Sequence, residues 1–393
     1  MRLSILLAAL ALSGCAAVPE PVSHPPASVA VVFDADEVRP VIVEGLANRE
    51  TGRPVEANDP VRVASISKMV MAMAAYELAA EGKLDLGTDV SEYLGYTVRN
   101  PAYPDVPVTV PQILMHRSGL RDRTGYVIPL GESLQAKLAQ PDAWYTGAPP
   151  GEAPFEYANL GSPVVATVLE AASGERYDQL VHRLVFAPLG ITSACFNWID
   201  CDRTTMERAV TLYRATGEVA RDAPEDVMPP ACTFPVFGLE ECRIENYVPG
   251  TNASIFSPQG GLRIGMLDLA KLGQAWLVQA PELALSELTY GEMLFSMMAG
   301  PKDQEFFCGY GAAMQLIEVP NHSCNDTLVG DGRPRFGHAG EAYGLRSGLW
   351  IDAQGGQSIA YFVTQVPDRT RPDEGGFAAE EIALVARAFE AVE

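Results

Sequence analysis

A helix without a polar face is the feature that most constrains how this chain can fold. Residues 65–81 would place Met, Val, Ala and Leu side chains almost all the way round such a helix, which Gly82 then ends. A helix of this kind is buried, so the fold must be large enough to surround it. The chain has 393 residues, of which 48% are apolar, and it can therefore provide a core of that size.

The other predicted elements indicate an α+β fold. Strands are predicted for segments rich in Val, Ile and aromatic residues, the first two forming a hairpin: 28–33, 38–46, 335–338, 345–352 and 357–365. Helices are predicted from apolar periodicity and capping residues at 109–116, 160–172, 177–185, 266–278 and 377–391. We expect one antiparallel sheet formed by N- and C-terminal strands and flanked by helices, with a helical region inserted between them.

The charge of the chain excludes one class of partner. Asp and Glu number 50 and Lys and Arg 28, so the formal net charge is −22. Nucleic acids and anionic lipid surfaces require basic patches, and no run of Lys or Arg occurs in the sequence. We therefore expect no nucleic-acid partner. Lysine is especially scarce, and Lys68 falls inside the apolar helix.

That lysine follows a potential nucleophile. In Ser65-Ile66-Ser67-Lys68, the first serine and the lysine are three residues apart and share one face of a helix. Burial lowers the pKa of a lysine, and a neutral amine beside a hydroxyl activates that hydroxyl for attack. The simpler alternative is an N-cap serine followed by a surface lysine. Because lysine is almost never buried unpaired, its place in this helix favours the catalytic interpretation.

Two more motifs follow along the chain. Tyr157-Ala158-Asn159 precedes a predicted helix, and residues two apart in an extended segment point the same way. His338-Ala339-Gly340 lies at the end of a predicted strand. Each has a structural alternative, a core tyrosine with an Asn N-cap in the first case and a strand-end histidine in the second. The three motifs together, in this order, favour a catalytic site.

The three motifs resemble those of the penicillin-recognising serine hydrolases, and specifically the class C β-lactamase-like branch. That branch contains esterases, D-aminopeptidases, DD-peptidases and lactamases. Further segments are similar to family landmarks, including the "LLxHxSGL" segment at 112–120: Arg62–Lys68, Glu81–Leu86, Gln112–Leu120, Pro150–Glu152, Gly260–Leu262 and Gly337–Gly340. The resemblance covers about residues 28–391. His116 and His182 have no assigned role in it, and we expect both to be structural.

The resemblance implies a mechanism. Ser65 would attack a carbonyl to form an acyl-enzyme, and Lys68 and Tyr157 would share the role of base, with the resting position of the proton left open. The oxyanion hole would be the backbone N–H groups of Ser65 and Glu341, with His338 on the opposite wall. The implied substrate-binding residues are Asn159, His338, Gly340 and Glu341. The resemblance implies no cofactor, and no ligand-spaced set of Cys and His predicts a metal.

One departure from the family pattern bears on the substrate. The third motif often has Thr or Ser at its centre, where a hydroxyl helps to hold a substrate carboxylate, whereas this chain has Ala339. We therefore expect neutral esters or amides to be cleaved well and penicillins slowly or not at all. A β-lactamase or DD-peptidase remains an alternative, as does a silent binding protein on the same fold. No Gly-x-Ser-x-Gly elbow of an unrelated α/β-hydrolase occurs.

The first 14 residues are typical of an export signal. The apolar segment 3–12 is too short to span a bilayer and leads into Leu12-Ser13-Gly14-Cys15. This sequence resembles a bacterial lipobox, which implies cleavage before Cys15, acylation of its thiol and attachment to a membrane. Ala16, rather than Asp, follows the cysteine, which by the sorting pattern of such lipoproteins favours the periplasmic face of the outer membrane in a host that has one. Otherwise the anchor would be the cell membrane. The alternative is an ordinary secretory signal with an incidental cysteine.

The remaining chain divides into a tether and one domain. Residues 15–27 are rich in Pro and Ala and suit an extended tether, and residues 28–393 would form the hydrolase domain. An even number of cysteines in an exported domain indicates disulfides, and nearest-neighbour pairing is the favoured of the 15 possibilities: Cys195–Cys201, Cys232–Cys242 and Cys308–Cys324. Residues 195–250 are predicted to be loop and to form a disulfide-stapled lid over the cleft.

Overall fold

An antiparallel sheet joins the two ends of the domain. The computed structural model describes residues 25–220, 244, 247–284, 307, 309–320, 324–352, 354–367 and 376–392. The predicted signal segment, Cys15 and nearly all of the tether lie outside these residues, as do Cys232, Cys242 and Cys308.

The described strands are short at the centre of the chain and long at its ends. They are β1 (Ser28–Phe33), β2 (Val38–Glu44), β3 (Leu46–Asn48), β4 (Arg53–Pro54), β5 (Val61–Arg62), β6 (Cys195–Phe196), β7 (Leu262–Ile264), β8 (Gly309–Tyr310), β9 (Gln315–Ile317), β10 (Arg335–Ala342), β11 (Leu345–Asp352) and β12 (Ser358–Val363). The described helices are α1 (Ser67–Ala80), α2 (Val90–Leu94), α3 (Val110–Leu114), α4 (Leu134–Leu138), α5 (Gly161–Ser173), α6 (Tyr177–Val181), α7 (Arg203–Arg208), α8 (Met266–Val278) and α9 (Ala379–Glu390).

The main sheet confirms the predicted α+β architecture. Its seven strands run in the order β2-β1-β12-β11-β10-β9-β8, and every neighbouring pair is antiparallel. N-terminal strand β1 pairs with C-terminal β12 from Ser28↔Val363 to Phe33↔Ser358. Both strands are fully buried, because α8 packs on one face of the sheet and α9 on the other.

The apolar helix α1 is buried, as its sequence predicts, and packs against α5. It begins two residues later than predicted, because Ala64–Ile66 form a 3₁₀ turn in front of it. A second small sheet, in the order β5-β7-β6, lies beside this turn. None of the helices in the described part of the chain is long and apolar enough to cross a bilayer.

Several predicted boundaries are corrected. Strand β10 continues to Ala342 rather than ending at His338, because it stays paired with β11 along its whole length. The helix predicted at 177–185 ends at Val181 and widens into a π-helical turn. The short strands β8 and β9 were not predicted, and helix α7 lies within the predicted loop 195–250.

The described part of the predicted lid is attached to the body of the domain. Cys195 and Cys201 are joined by a disulfide, as predicted, and β6 pairs with β7. The Val210 N–H donates to the carbonyl of Pro60, and the Thr211 N–H donates to that of Ala47. Residues 221–243 lie outside the described residues, so a lid over the cleft stays a prediction. Cys324 is disulfide-bonded, while its predicted partner lies outside the described residues.

Candidate active site

The serine of the first motif lies on the 3₁₀ turn, where its side chain is only partly buried. Ala64 has a φ of +46°, a left-handed conformation that costs a non-glycine residue free energy and is common at functional turns. The turn is held by Ser67, whose hydroxyl donates to the Ala64 carbonyl (2.6 Å) and accepts from the Leu262 N–H on β7 (3.0 Å). The second serine of Ser65-Ile66-Ser67-Lys68 therefore fixes the shape of the turn that presents the first.

The lysine is bound on three sides by oxygen atoms. Lys68 Nζ lies 3.2 Å from Ser65 Oγ, 2.9 Å from Asn159 Oδ1 and 2.8 Å from the Gln259 carbonyl oxygen. Its side chain is 1% exposed, and this burial lowers its pKa to about 7. Asn159 Oδ1 and the carbonyl of Gln259 can only accept, so they occupy both N–H groups of the neutral amine. The lone pair of that amine then faces the Ser65 hydroxyl.

The tyrosine of the second motif completes this cluster. Its hydroxyl is hydrogen-bonded with Ser65, and its ring centroid lies 4.8 Å from Lys68 Nζ. Burial raises the pKa of Tyr157 well above its usual value, so the phenol keeps its proton at neutral pH. The site thus pairs a neutral phenol with an amine whose pKa lies near 7.

Asp122 is part of the site and was missed by the sequence analysis. Its Oδ2 accepts from the backbone N–H of Asn159 (2.9 Å) and from Asn159 Nδ2 (3.0 Å), and its Oδ1 accepts from the Leu160 N–H (2.8 Å). These bonds turn the amide so that Asn159 Oδ1 faces Lys68. The negative charge of Asp122 also raises the pKa of Lys68, against the larger effect of burial. Its position two residues after the "LLxHxSGL" segment at 112–120 was the only sequence signal for it.

The third motif lies differently from the prediction. His338 is in the middle of β10, is 1% exposed, and has both ring nitrogens bound to protein atoms, Nδ1 to the Ala339 carbonyl (2.6 Å) and Nε2 to Tyr310 Oη (3.3 Å). Burial, assisted by the charge of Lys68, lowers its pKa to about 3, so it is neutral. Both ring nitrogens of His338 thus have protein partners in this structure, and its predicted contact with substrate stays a prediction.

Gly340 brings β10 against the serine turn. A Cβ atom at this position would lie 2.3 Å from the Val63 carbonyl oxygen and 2.3 Å from Ser347 Oγ, so only glycine allows the approach. Glu341 follows it with an exposed side chain that pairs with Arg346 Nη2 at 2.9 Å. Arg346 is 3% exposed and also donates to the carbonyls of Leu345 and Pro367, so its guanidinium is turned to these partners.

One group of potential metal ligands occurs among the described residues: Cys195, Asp200 and Cys201. Its two sulfur atoms form the disulfide described above, so they are not thiolate ligands.

A serine hydroxyl in contact with a buried lysine and a tyrosine can be activated as a nucleophile. Comparison with known proteins identifies the family to which such a site belongs. The chain belongs to the beta-lactamase family, whose sequence profile matches residues 18–383.

Relatives within this family have several activities. Esterase EstB of Burkholderia gladioli is 30% identical over 188 residues, which are 43% of this chain and 46% of EstB. The D-alanyl-D-alanine-carboxypeptidase/endopeptidase AmpH of Escherichia coli K12 is 29% identical over 144 residues, 35% of this chain and 36% of AmpH. The chain thus spans less than half the length of these curated relatives.

Solved structures share the fold over nearly the whole chain. The D-amino acid amidase of Ochrobactrum anthropi SV3, complexed with L-phenylalanine amide, superposes with a TM-score of 0.68 at 17% identity, covering 94% of this chain and 93% of the amidase. A class C beta-lactamase mutant superposes with a TM-score of 0.64 at 16% identity, covering 94% and 92%.

Proposed function

We propose that this protein hydrolyses neutral esters or amides through an acyl-enzyme on Ser65. The observation that carries the proposal is the hydrogen bonding of Lys68, whose neutral amine has both N–H groups occupied and its lone pair directed at the Ser65 hydroxyl. A pKa of about 7 keeps a large fraction of that amine neutral at physiological pH.

In the acylation step, Lys68 takes the proton of Ser65 as Oγ bonds to the substrate carbonyl carbon. The oxygen of that carbonyl becomes negative and is stabilised by the backbone N–H groups of Ser65 and Glu341. Tyr157 gives its proton to the leaving alcohol or amine as the bond between carbonyl carbon and leaving group breaks. The proton on Lys68 then restores the phenol.

In the second step, water replaces the leaving group. The water gives a proton to the pair of Lys68 and Tyr157 as its oxygen attacks the acyl carbon. The bond between that carbon and Ser65 Oγ then breaks, Ser65 Oγ regains a proton, and the carboxylic acid is released. The Tyr157 phenol is suited to donating rather than accepting in the resting enzyme, because burial raises its pKa. We therefore assign the resting base to Lys68 and the donor to the leaving group to Tyr157.

The preference for neutral substrates rests on the wall next to the third motif. Ala339 offers only a methyl group, His338 is neutral with both nitrogens bound, and Arg346 is paired with Glu341. A substrate carboxylate would meet no cation or hydroxyl from these residues. A lost hydrogen bond to a charged group is worth about 1.5–3 kcal/mol, or about 10–150-fold in binding.

We also propose that Cys15 carries the lipid anchor and that residues 15–27 tether the domain at the periplasmic face of the outer membrane. This proposal is supported by the sequence around Cys15. Substitution Cys15→Ser should move the protein from the membrane fraction to the soluble fraction and abolish incorporation of labelled palmitate. A variant that keeps both properties would contradict it.

The catalytic proposal is tested by labelling with a fluorophosphonate probe. The native protein should be labelled on Ser65, and Ser65→Ala should not react. Ser133→Ala is the matched control, because this serine caps α4 on an exposed surface and should leave labelling unchanged. A folded native protein that resists the probe and hydrolyses no p-nitrophenyl ester would favour a silent binding protein instead.

A further inference from the structure

A line of buried hydrogen bonds runs behind the active site and takes no part in the proposed reaction. His116 Nδ1 accepts from the backbone N–H of Ala158 (3.1 Å), and His116 Nε2 lies 3.1 Å from Tyr310 Oη. The same hydroxyl lies 3.3 Å from His338 Nε2, while His338 Nδ1 lies 2.6 Å from the Ala339 carbonyl. The line therefore links the backbone of the second motif to that of the third.

The partners at the two ends decide where each proton lies. Because the Ala158 N–H can only donate, His116 Nδ1 is unprotonated, and a neutral His116 carries its proton on Nε2 and donates it to Tyr310. Because the Ala339 carbonyl can only accept, His338 carries its proton on Nδ1, and its Nε2 accepts from the Tyr310 hydroxyl. Every donor thus meets an acceptor, with both histidines neutral.

The surroundings keep both rings neutral. The titratable groups that face them are Lys68, Tyr157, Tyr310 and each other's imidazole. Burial lowers the pKa of His116 well below its usual value, and a positive charge on Lys68 or His338 would lower it further. The pKa of His338 is lowered to about 3 for similar reasons.

His116 also holds Tyr157 on both sides. Its carbonyl accepts from the N–H of Glu156 (3.1 Å) and its ring accepts from that of Ala158, so the two residues that flank Tyr157 are both bound to it. The His116 ring lies against the Tyr157 ring, with centroids 4.4 Å apart. His116 adopts a φ of +53°, a left-handed conformation whose cost the surrounding contacts must offset.

We propose that His116, Tyr310 and His338 form a brace of positioning residues. The brace holds Tyr157 against Ser65 and Lys68. It also fixes the distance between Tyr157 and strand β10, which provides the Glu341 N–H of the oxyanion hole. The brace rests on the proposed function, because its role is to orient the proton donor of that reaction. Loss of the brace should misplace the Tyr157 hydroxyl and slow the chemical step, while substrate binding changes little.

The decisive variant is Tyr310→Phe, which removes only the central hydroxyl. We expect kcat for a p-nitrophenyl ester to fall about 10–100-fold with KM within about twofold, since a small misplacement of a catalytic group costs that much. Tyr361→Phe is the matched control. It removes a buried hydroxyl that donates to Glu381 (2.8 Å) away from the cleft, and should leave kcat unchanged.

The proton positions are tested independently by long-range ¹H–¹⁵N spectra of histidine-labelled protein, which has five histidines. At pH 7, His116 should be the Nε2–H tautomer and His338 the Nδ1–H tautomer, and Tyr310→Phe should shift the nitrogen signals of both rings. The opposite tautomer or a charged ring at either position would overturn the brace. So would a kcat unchanged in Tyr310→Phe, or lowered no more than in Tyr361→Phe. Absence of native esterase activity with the expected tautomers would instead refute the proposed function.

Discussion

The acylation rate should rise with pH through the pKa of Lys68. The neutral amine is the reactive form, and burial lowers its pKa to about 7. With that value about half of the enzyme is active at pH 7, about 9% at pH 6 and about 1% at pH 5, so acylation should be about 50-fold slower at pH 5 than at pH 7. The measurement is the pre-steady-state burst with a p-nitrophenyl ester across pH 5–9.

Asp122→Asn should move this profile in a known direction. The carboxylate favours the ammonium form of Lys68, so its removal lowers the pKa of the lysine and shifts the acid limb of the profile to lower pH. The plateau rate should also fall, because an amide cannot accept from all three donors that bind Asp122. The shift in midpoint separates an electrostatic role from a structural one.

Asp89→Asn provides the control for this experiment. Asp89 also accepts a hydrogen bond from a backbone N–H, that of Ser91 (3.0 Å), and is paired with Arg99. It caps helix α2 and is not part of the candidate active site. Its substitution should leave the midpoint of the profile unchanged. A native rate that stays flat from pH 5 to pH 8 would refute Lys68 as the base, and an Asp122→Asn midpoint equal to the native one would refute the electrostatic coupling.

Four further predictions concern the base, the substrate, the core and the disulfides. Lys68→Arg should abolish acylation, since a guanidinium stays protonated; a variant with most of the native rate would remove the lysine from the mechanism. Ala339→Thr should raise kcat/KM for nitrocefin relative to a short-chain p-nitrophenyl ester, and a native enzyme that turns over nitrocefin efficiently would contradict the preference for neutral substrates. Glu170→Gln should lower the free energy of unfolding, measured in urea, by about 1–3 kcal/mol, because the buried carboxylate accepts two backbone N–H groups and an amide nitrogen accepts none. Non-reducing peptide mapping should find Cys232 paired with Cys242; a free thiol at either position would be evidence against that pair.

Elements with strong local patterns were predicted almost to the residue. Helix α8 coincides with its predicted bounds, and α5 ends where Gly174, in a left-handed conformation, stops it. The two-residue strand β8 has no such pattern, because it is too short to show alternation. Strand β10 continues through Ala339 and Gly340 because β11 pairs with it, a long-range contact that local propensity does not report.

In the active site too, residues with a local sequence pattern could be predicted and residues placed by long-range contacts could not. Ser65 and Lys68 could be predicted, because they are three residues apart on one helical turn and lysine is rarely buried without a partner. Asp122 and Tyr310 could not, because each contributes through partners distant in sequence: Asp122 reaches Asn159, and Tyr310 reaches two histidines. The deep burial of His338 could not be predicted either, because it depends on how β10 packs against the rest of the domain.

Because β10 approaches the serine turn closely at Gly340, positions 339 and 340 should differ in how well they tolerate substitution in protein engineering. Any side chain at 340 would collide with the Val63 carbonyl and displace the turn that presents Ser65, so variants at this position should be inactive whatever the substrate. Ala339 is only partly buried and packs beside the hydrophobic cluster that contains Tyr310. A library that varies residue 339 and leaves 340 as glycine should therefore sample new acyl and leaving groups without disturbing the nucleophile.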